Sequence, residues 1–336
     1  MTVIALDAMG GDRAPQAVVE GAIAAARNGI EVALVGDEAV LTPLLTRFGG
    51  APSGLRIVHA ADAIEMGEHA ALEARTRHDS SIYVGVQLVK TGEAEAFVSA
   101  GNTGAVFAIA LLSLGRLRGI ERPALGVLLP LPNGPALLLD GGANAEVRLT
   151  HLAQFAHLGV AYMRAVMGVA EPTVGLLNIG EEPTKGTHLA IEVHAVLATS
   201  GLRFIGNVEG RDVFAHRADV VVTDGFTGNV VLKTAEGVID VLFGELRHLA
   251  SGSLRDRLGA WLLRPSLRAI ADRSDYRRYG AVPLLGIDGA VFVAHGRSDA
   301  RAIESAVRTA ATAIERGMLP ALAESTTHLR TGATEA

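Results

Sequence analysis

Short apolar runs alternate with longer segments of helical spacing along most of this chain, and this alternation is its most constraining feature. Such runs are typical of strands buried on both faces, because parallel strands are covered by helices above and below. Glycines cluster where the runs end, at the strand-to-helix turns. The pattern predicts a mainly parallel sheet with helices on both faces. Nine predicted strands cover residues 2–6, 32–35, 55–58, 96–99, 126–129, 136–139, 174–177, 220–223 and 290–294.

The composition excludes several classes of protein. The 336 residues include no cysteine, so disulfides, zinc-thiolate sites, iron–sulfur clusters and a cysteine nucleophile are excluded. The formal net charge of −6 argues against broad nucleic-acid binding, which needs a basic surface. The first residues predict a strand rather than a secretory signal, and no apolar run is long enough to cross a bilayer. A cytoplasmic location is therefore expected.

Two segments depart from the strand–helix alternation. Residues 131–135 read Leu-Pro-Asn-Gly-Pro between two apolar runs, which predicts an antiparallel hairpin at a sheet edge. Residues 245–278 carry eight arginines against four acidic residues and predict two helices that meet near Arg264–Pro265, with Trp261, Leu262 and Leu263 at the bend. One interpretation is an ordinary helix pair packed on the core, and the other is a projecting hairpin that touches a membrane or an acidic partner.

Two glycine-rich turns resemble each other. Residues 98–106 and 222–230 both have the pattern V-S/T-x-G-x-T-G-x-V, in which a predicted strand leads into a helix. Helix N-termini present free N–H groups and partial positive charge, so a pair of such turns facing one crevice can hold anionic groups. The alternative is that the glycines serve only tight strand–helix packing.

Two further turns carry charged residues. The turn at 7–15 combines two glycines with two carboxylates and an arginine, and its alternative interpretation is a helix cap formed by Asp12. The loop at 178–188 contains Lys185, one of three lysines in an arginine-rich chain. A compact ammonium group suits a phosphate or an oxyanion, although a solvated loop lysine is the plain alternative.

Familiar nucleotide and hydrolase motifs are absent from the sequence. The patterns G-x-x-x-x-G-K-S/T, G-x-G-x-x-G, H-E-x-x-H and G-x-S-x-G do not occur. None of the eleven histidines forms a metal-binding pair of convincing spacing, and they are interpreted as scattered surface or core residues. No metal and no cofactor are therefore indicated.

The motifs taken together resemble those of the bacterial PlsX-type phosphate acyltransferases. The matching stretches follow one another in order from residue 5 to about residue 296. They are ALDAMGGD at 5–12, VSAGNTGA at 98–105, RPA at 122–124, NIGEE at 178–182, GNVEGRD at 206–212, TDGFTGNVVLK at 223–233 and PLLG at 283–286.

The resemblance implies a fold, a reaction and partners. The fold is a three-layer α/β/α sandwich similar to the isocitrate/isopropylmalate dehydrogenase group, with a single catalytic domain at 1–325 and a basic amphipathic helical hairpin at 245–280. The small and polar residues at 326–336 independently predict a disordered tail. The reaction moves a long fatty acyl group from acyl carrier protein to inorganic phosphate for phospholipid synthesis. The family resemblance further implies a homodimer, peripheral contact with the inner face of the cell membrane and glycerol-3-phosphate acyltransferase as the downstream partner.

The resemblance also implies roles for individual residues. Lys185 and Asn229 are the expected catalytic pair, with Asp224 to orient either of them. Substrate and phosphate binding is predicted for the glycine-rich turns, and membrane or carrier contact for the hairpin. The turn residues are Asp7, Gly10, Gly11, Asp12, Gly101, Asn102, Thr103, Gly104, Gly225, Thr227 and Gly228, and the hairpin residues are Trp261, Leu262, Leu263, Arg255, Arg257, Arg268 and Arg273.

The sequence departs from the family pattern at two places, and two rival functions remain open. Residues 67–70 and 75–78 differ from the usual Asp-x-Pro and lysine-rich stretch, and the stretch Asp140-Gly141-Gly142-Ala143-Asn144 has glycine where a larger residue is common. The rivals are a phosphotransacetylase-like enzyme acting on short acyl groups and a non-catalytic phosphate- or nucleotide-sensing module.

Overall fold

The structure is a computed structural model that describes residues 2–68, 70–250, 252–273 and 279–327. Within these ranges it contains twelve strands. They are β1 Val3–Asp7, β2 Glu31–Gly36, β3 Leu55–His59, β4 Ala96–Ser99, β5 Ala124–Leu125, β6 Val127–Leu131, β7 Gly134–Leu139, β8 Thr173–Leu177, β9 Arg203–Val208, β10 Val220–Val222, β11 Ala281–Leu285 and β12 Ala290–Ala294.

Twelve helices lie between and after these strands in the same ranges. They are α1 Gln16–Arg27, α2 Glu38–Arg47, α3 Ala70–Thr76, α4 Ser81–Thr91, α5 Thr103–Ser113, α6 Leu149–Ala165, α7 His188–Ala198, α8 Gly210–Phe214, α9 Gly225–Ala250, α10 Leu254–Arg273, α11 Ala300–Glu315 and α12 Met318–Thr327.

The strands form two sheets. The first has seven strands in the order β3-β2-β1-β4-β12-β11-β5, and the second has five in the order β6-β7-β10-β8-β9. Seven of the ten strand pairings are parallel, which confirms the mainly parallel arrangement. The second sheet is inserted in the chain between β5 and β11 of the first.

Helices cover both faces of the first sheet. Ile4 and Leu6 point to the face covered by α1 and α11, whereas Ala5 between them points to the face covered by α4 and α5. Successive strand residues alternate between faces, so each face has its own apolar core. The core beneath α1 and α11 continues into the second sheet and includes Leu137 and Val220. This three-layer packing confirms the predicted α/β/α class.

All nine predicted strands are present, and three others were not predicted. β5 has only two residues, β9 is partly exposed and interrupted by Gly206, and β11 contains Pro283. Each of these features weakens the apolar run that marks a buried strand.

The predicted hairpin is confirmed as β6 and β7, which pair antiparallel at the edge of the second sheet. Its two connecting residues are Pro132 and Asn133, and Gly134 follows with a φ of +115°. The positive φ falls at the glycine, which adopts it without steric cost.

The predicted bend at Arg264–Pro265 is wrong. α10 runs through Pro265 as one helix, and the break between the two helices falls instead between Ala250, the last residue of α9, and Leu254, the first residue of α10. The chain does form a helical hairpin, because α9 and α10 pack on each other. Trp261, Leu262 and Leu263 therefore lie along α10 rather than at the tip. The polar tail beyond residue 327 lies outside the described residues.

Candidate functional site

A cavity of about 410 Å³ opens between the two sheets, where strand ends from both sheets meet. Parallel α/β sheets bind ligands at the carboxyl ends of their strands, because the helix N-termini point there. The lining residues come from both glycine-rich turns, from β5, β6, β11 and β12, and from one side of α9. They include Met66, Gly101, Thr103, Gly142, Asn229, Leu232, Lys233, Glu236 and His295.

Asp7 ends β1 as a fully buried carboxylate below the cavity. It accepts hydrogen bonds from Ser99 Oγ at 2.6 Å and from the Met9 N–H at 3.0 Å. Burial raises the pKa of Asp7, while these hydrogen bonds and that of Ser81 oppose the rise. Asp7 is not among the residues that line the cavity, so its contacts support the turn from below.

Gly10 and Gly101 bring the turns after β1 and β4 together. A Cβ on Gly10 would lie 2.7 Å from the Gly101 nitrogen and would overlap the Asp7 carboxylate. Gly11 has a φ of +108°, and the Asp12 N–H donates to the Gly296 carbonyl at 2.8 Å. Backbone packing therefore accounts for these glycines, and Asp12 lies beside the cavity residue Gly296.

Asn102 ties a loop to the start of α5. Its Oδ1 accepts from the Ala105 N–H at 3.1 Å, as an N-cap does. Its Nδ2 donates to the carbonyls of Glu65, Met66 and Glu68 at 3.2–3.3 Å. Thr103 is exposed and lines the cavity, and a Cβ on Gly104 would lie 2.8 Å from Ala70. The turn after β4 thus holds the loop at 62–68 beside the cavity.

Arg77 fixes the same loop from the other side. Its guanidinium donates to both carboxylate oxygens of Asp62 and to Glu68 at 2.8 Å, and it lies 3.6 Å from Glu73. The Arg77 guanidinium lowers the pKa of Asp62. Arg77 belongs to the stretch at 75–78 that departs from the family pattern, and its guanidinium is paired with carboxylates of this chain. Nothing in the sequence indicated the Arg77–Asp62 pair.

In the second sheet, Asp140 organises the end of β7. Its buried carboxylate accepts from the N–H groups of Leu125, Gly142, Ala143 and Asn144 at 2.7–3.1 Å. Charge-assisted hydrogen bonds of this kind are among the strong ones in proteins. Asp140 thereby connects Leu125, where the chain leaves the first sheet, to Gly142, which lines the cavity.

The turn at 223–229 packs directly on the Asp140 loop. The Gly225 N–H donates to the Asn144 carbonyl at 2.8 Å, and a Cβ on Gly228 would overlap the Asp140 carbonyl oxygen. Asp224 accepts from the Thr227 N–H at 2.8 Å and from Thr227 Oγ1 at 2.7 Å. Asp224 and Thr227 therefore bond to each other at the start of α9.

Asn229 is exposed and lines the cavity beside Gly142. Lys185 follows β8, the neighbour of β10, in an exposed loop that is pinned by a 2.9 Å bond from Asn178 Nδ2 to the Lys185 carbonyl. It is not among the residues that line the cavity. The structure thus places the expected pair at adjacent strand ends, with only Asn229 on the cavity wall.

Three charged or titratable groups at the cavity were missed from the sequence. Lys233 Nζ bonds to Glu236 at 2.8 Å, and His295 follows β12. Burial lowers the pKa of His295, as does nearby Lys233. The His295 Nδ1 accepts from the Arg297 N–H at 3.2 Å. The available signal was the His-Gly pair directly after a predicted strand, the same position that the glycine-rich turns occupy.

The α9–α10 hairpin carries a large apolar surface. Trp261 is 66% exposed, and Leu262 and Leu263 are 63% and 58% exposed. Arg255 and Arg257 are exposed on the same helix, whereas the side chains of Arg268 and Arg273 lie outside the described residues. Among the described helices, none is both long and apolar enough to span a bilayer.

Comparisons with known proteins give one consistent family. The model of the family described as "Fatty acid synthesis protein" matches residues 2–320. A phosphate acyltransferase of Myxococcus xanthus is 52% identical over 321 residues, covering 94% of this chain and 91% of its own. One from Thermus thermophilus is 53% identical over 317 residues, covering 94% of this chain and 96% of its own.

Solved structures support the fold. A phosphotransacetylase from Streptococcus pyogenes superimposes with a TM-score of 0.62 at 20% identity, over 94% of both chains. A Salmonella typhimurium structure assigned as a 4-hydroxythreonine-4-phosphate dehydrogenase gives 0.56 at 13% identity, over 93% of this chain and 99% of its own. The chain therefore has a dehydrogenase-like α/β/α fold, as its sequence predicted.

Proposed function

The chain belongs to the PlsX-type family of phosphate acyltransferases and is an acyltransferase, and from this premise we propose that its acyl donor is a long-chain acyl-acyl carrier protein. The products are acyl phosphate and free carrier, and the acyl phosphate supplies glycerol-3-phosphate acyltransferase in phosphatidic acid synthesis. The observation that carries the proposal is one cavity lined by both glycine-rich turns, with the Asn229 amide on its wall.

The reaction needs positioning and charge stabilisation more than an added nucleophile. A thioester carbonyl is already activated, and hydrogen phosphate has nucleophilic oxygens near neutral pH. A phosphate oxygen bonds to the carbonyl carbon, the carbon–sulfur bond breaks, and the phosphate proton passes to the departing thiolate. The products are an acyl phosphate dianion and the carrier thiol, so charge and atoms balance without a covalent acyl-enzyme.

Asn229 and Lys185 divide the electrostatic work in this proposal. The Asn229 side-chain amide donates to the oxyanion that develops on the thioester carbonyl, since preorganised donors stabilise charge as it forms. Lys185 neutralises phosphate charge from the neighbouring strand end with its flexible ammonium. Asp224 holds Thr227 and the start of α9, and so orients Asn229 two residues further on.

The glycine-rich turns receive phosphate and the phosphopantetheine end of the carrier. Thr103 of the first turn and Asn229 of the second are exposed and line the cavity, as does Gly142 of the neighbouring Asp140 loop. Asp7, Asn102 and Gly228 build the turns through the contacts described above. Their contribution to binding is therefore indirect in this proposal.

We also propose three macromolecular contacts. The exposed arginines of the hairpin attract the acidic carrier protein. The apolar residues Trp261, Leu262 and Leu263 contact the inner face of the cell membrane. The exposed apolar residues of α9 pack against a second copy of the chain.

The test of the reaction is release of carrier thiol from palmitoyl-acyl carrier protein, with and without phosphate, with acyl phosphate trapped as hydroxamate. Phosphate-dependent release with an equal amount of hydroxamate is the expected result. Turnover of acetyl-CoA without turnover of palmitoyl-acyl carrier protein would instead indicate a short-chain phosphotransacylase. Stabilisation by phosphate without either product would indicate a sensor.

A further inference from the structure

The cavity between the sheets is lined by polar residues and by an apolar wall. The polar residues are Asn229, Lys233, Glu236 and His295, together with the turn at Gly101. The wall is built from aliphatic side chains of both sheets and α9. They are Leu125, Val127, Leu128, Leu232, Val282 and Val293.

We propose that this wall is the binding subsite for the hydrocarbon chain of the acyl substrate, and that it determines which chain lengths are used. The inference rests on the proposed function, because it assigns a place to the fatty acyl group of that reaction. Each methylene moved from water to an apolar surface improves binding roughly fourfold, so a wall of this kind discriminates between chains. Its position beside Asn229 places the chain where the thioester carbonyl meets the donor amide.

The arrangement of α9 supports this assignment. Asn229, Leu232, Lys233 and Glu236 recur at three- and four-residue spacing and line the cavity, so they share one side of the helix. The donor amide and an apolar wall residue therefore lie on the same surface. An acyl group with its carbonyl at Asn229 meets Leu232 one helical turn further on.

A second apolar groove is the main rival site. It lies between α8 and α9 and is lined by Phe214, Val230, Val231, Val238 and Ile239, on a different side of α9 from Asn229. Its lining contains none of the residues Gly101, Thr103 and Asn229. An acyl chain bound in this groove would place its carbonyl group away from the cavity that both glycine-rich turns line.

Two wall residues are direct neighbours across β11 and β12. Val282 pairs with Val293, so their side chains lie side by side on one face of the sheet. Val282 is half-buried, and Leu128 and Val293 are buried. A bulkier residue at Val282 therefore takes space from the cavity rather than from solvent.

The test compares acetyl, octanoyl and palmitoyl groups on the same carrier protein. Val282→Phe and Leu232→Phe fill the wall from two sides, and Val238→Phe makes the same change in the rival groove. We expect both wall variants to lose at least roughly tenfold in kcat/KM for palmitoyl while octanoyl changes by less than about threefold. Val238→Phe should leave the chain-length profile unchanged.

The outcomes separate the subsite from the reaction. If wild type uses none of the acyl carriers, the proposed function itself fails. If wild type is active but the wall variants lower all chain lengths equally, or if only Val238→Phe changes the profile, the subsite inference is overturned.

A second measurement uses the wild-type chain and does not depend on the folding of the variants. Palmitoyl-acyl carrier protein with a photoreactive group at the chain end is crosslinked, and the labelled peptides are mapped. Labelling in β6, β11 or β12 is expected. Labelling confined to α8 would overturn the inference.

Discussion

Asn229 and Lys185 lie at neighbouring strand ends of the second sheet, but their surroundings differ. Asn229 lines the cavity, whereas Lys185 belongs to an exposed loop and is not among the residues that line it. The sequence indicated both residues through their glycine-rich surroundings and the family resemblance. It did not indicate their separation, because the distance between two loops depends on how the strands are ordered in the sheet.

Replacing either residue by alanine tests the electrostatic roles. Loss of one oxyanion donor typically lowers turnover by about 10²- to 10³-fold, and we expect Asn229→Ala and Lys185→Ala each to lose at least that much. The measurement is steady-state thiol release with palmitoyl-acyl carrier protein. Asn133→Ala and Lys90→Ala are matched controls at exposed positions away from the cavity. Activity within about threefold of wild type would remove either residue from its role.

Asp7 gives a prediction for stability rather than activity. Burial raises its pKa above the ordinary value of 3.8, so the folded chain holds this proton more tightly than the unfolded chain. Stability contributed by Asp7 is therefore fully present below pH 3.8 and is lost as the pH rises through the raised pKa. Asp7→Asn should remove that part of the pH dependence.

The measurement is urea unfolding of wild type and Asp7→Asn at several pH values. The difference between their free energies of unfolding should change in favour of the variant as the pH rises across this window. Asp12→Asn, an exposed position in the same turn, is the matched control. A pH-independent difference between wild type and Asp7→Asn would contradict the assignment.

At the scale of elements, the sequence predicted nine strands and missed three, because β5 has only two residues, β9 is partly exposed and β11 contains Pro283. β4 and β12 were predicted to the residue, because every residue of both strands is buried and all except Ser99 are apolar. The bend expected at Pro265 is absent because the proline sits within α10. A proline favours a break but does not dictate one, since loss of one backbone hydrogen bond can be tolerated on an exposed helix.

The prediction of membrane contact rests on the exposed apolar residues of α10. Trp261→Asp combined with Leu262→Asp removes two side chains that are more than 60% exposed and adds two negative charges. We expect flotation with vesicles containing anionic lipid to be lost, because both the apolar and the electrostatic attraction fall. Thiol release from palmitoyl-acyl carrier protein in the absence of vesicles should persist.

Leu112→Asp is the control for that experiment, because Leu112 is also an exposed leucine, on α5. It should float as wild type does. Flotation of the double variant at the wild-type level would leave the hairpin as an ordinary helix pair.

At the scale of the molecule, the exposed apolar residues of α9 predict a second copy as partner. Val241 is 67% exposed and Leu242 57% exposed, on a helix whose other side lines the cavity. We expect Val241→Asp with Leu242→Asp to shift the chain from dimer towards monomer in sedimentation velocity. An unchanged sedimentation coefficient, or a monomeric wild type, would contradict this assignment.

The charge of the whole molecule bears on the proposed docking of an acidic carrier protein. The net charge is −6, so the exposed arginines at 247, 255 and 257 must supply local attraction against an overall repulsion. We expect the KM for acyl carrier protein to rise with salt in wild type and to rise less in Arg255→Glu with Arg257→Glu. A salt-independent KM in wild type would place the docking surface elsewhere.

The position of β12 in the first sheet has a consequence for the newly made chain. β12 pairs with β4 in the middle of that sheet, yet the whole second sheet is synthesised between them. While the ribosome makes that insertion, β4 has one backbone edge without its final neighbour. Open edges of this kind template pairing with other chains, and pairing between distant segments is slow. We therefore expect the nascent chain to be most prone to aggregation during this stage of its synthesis.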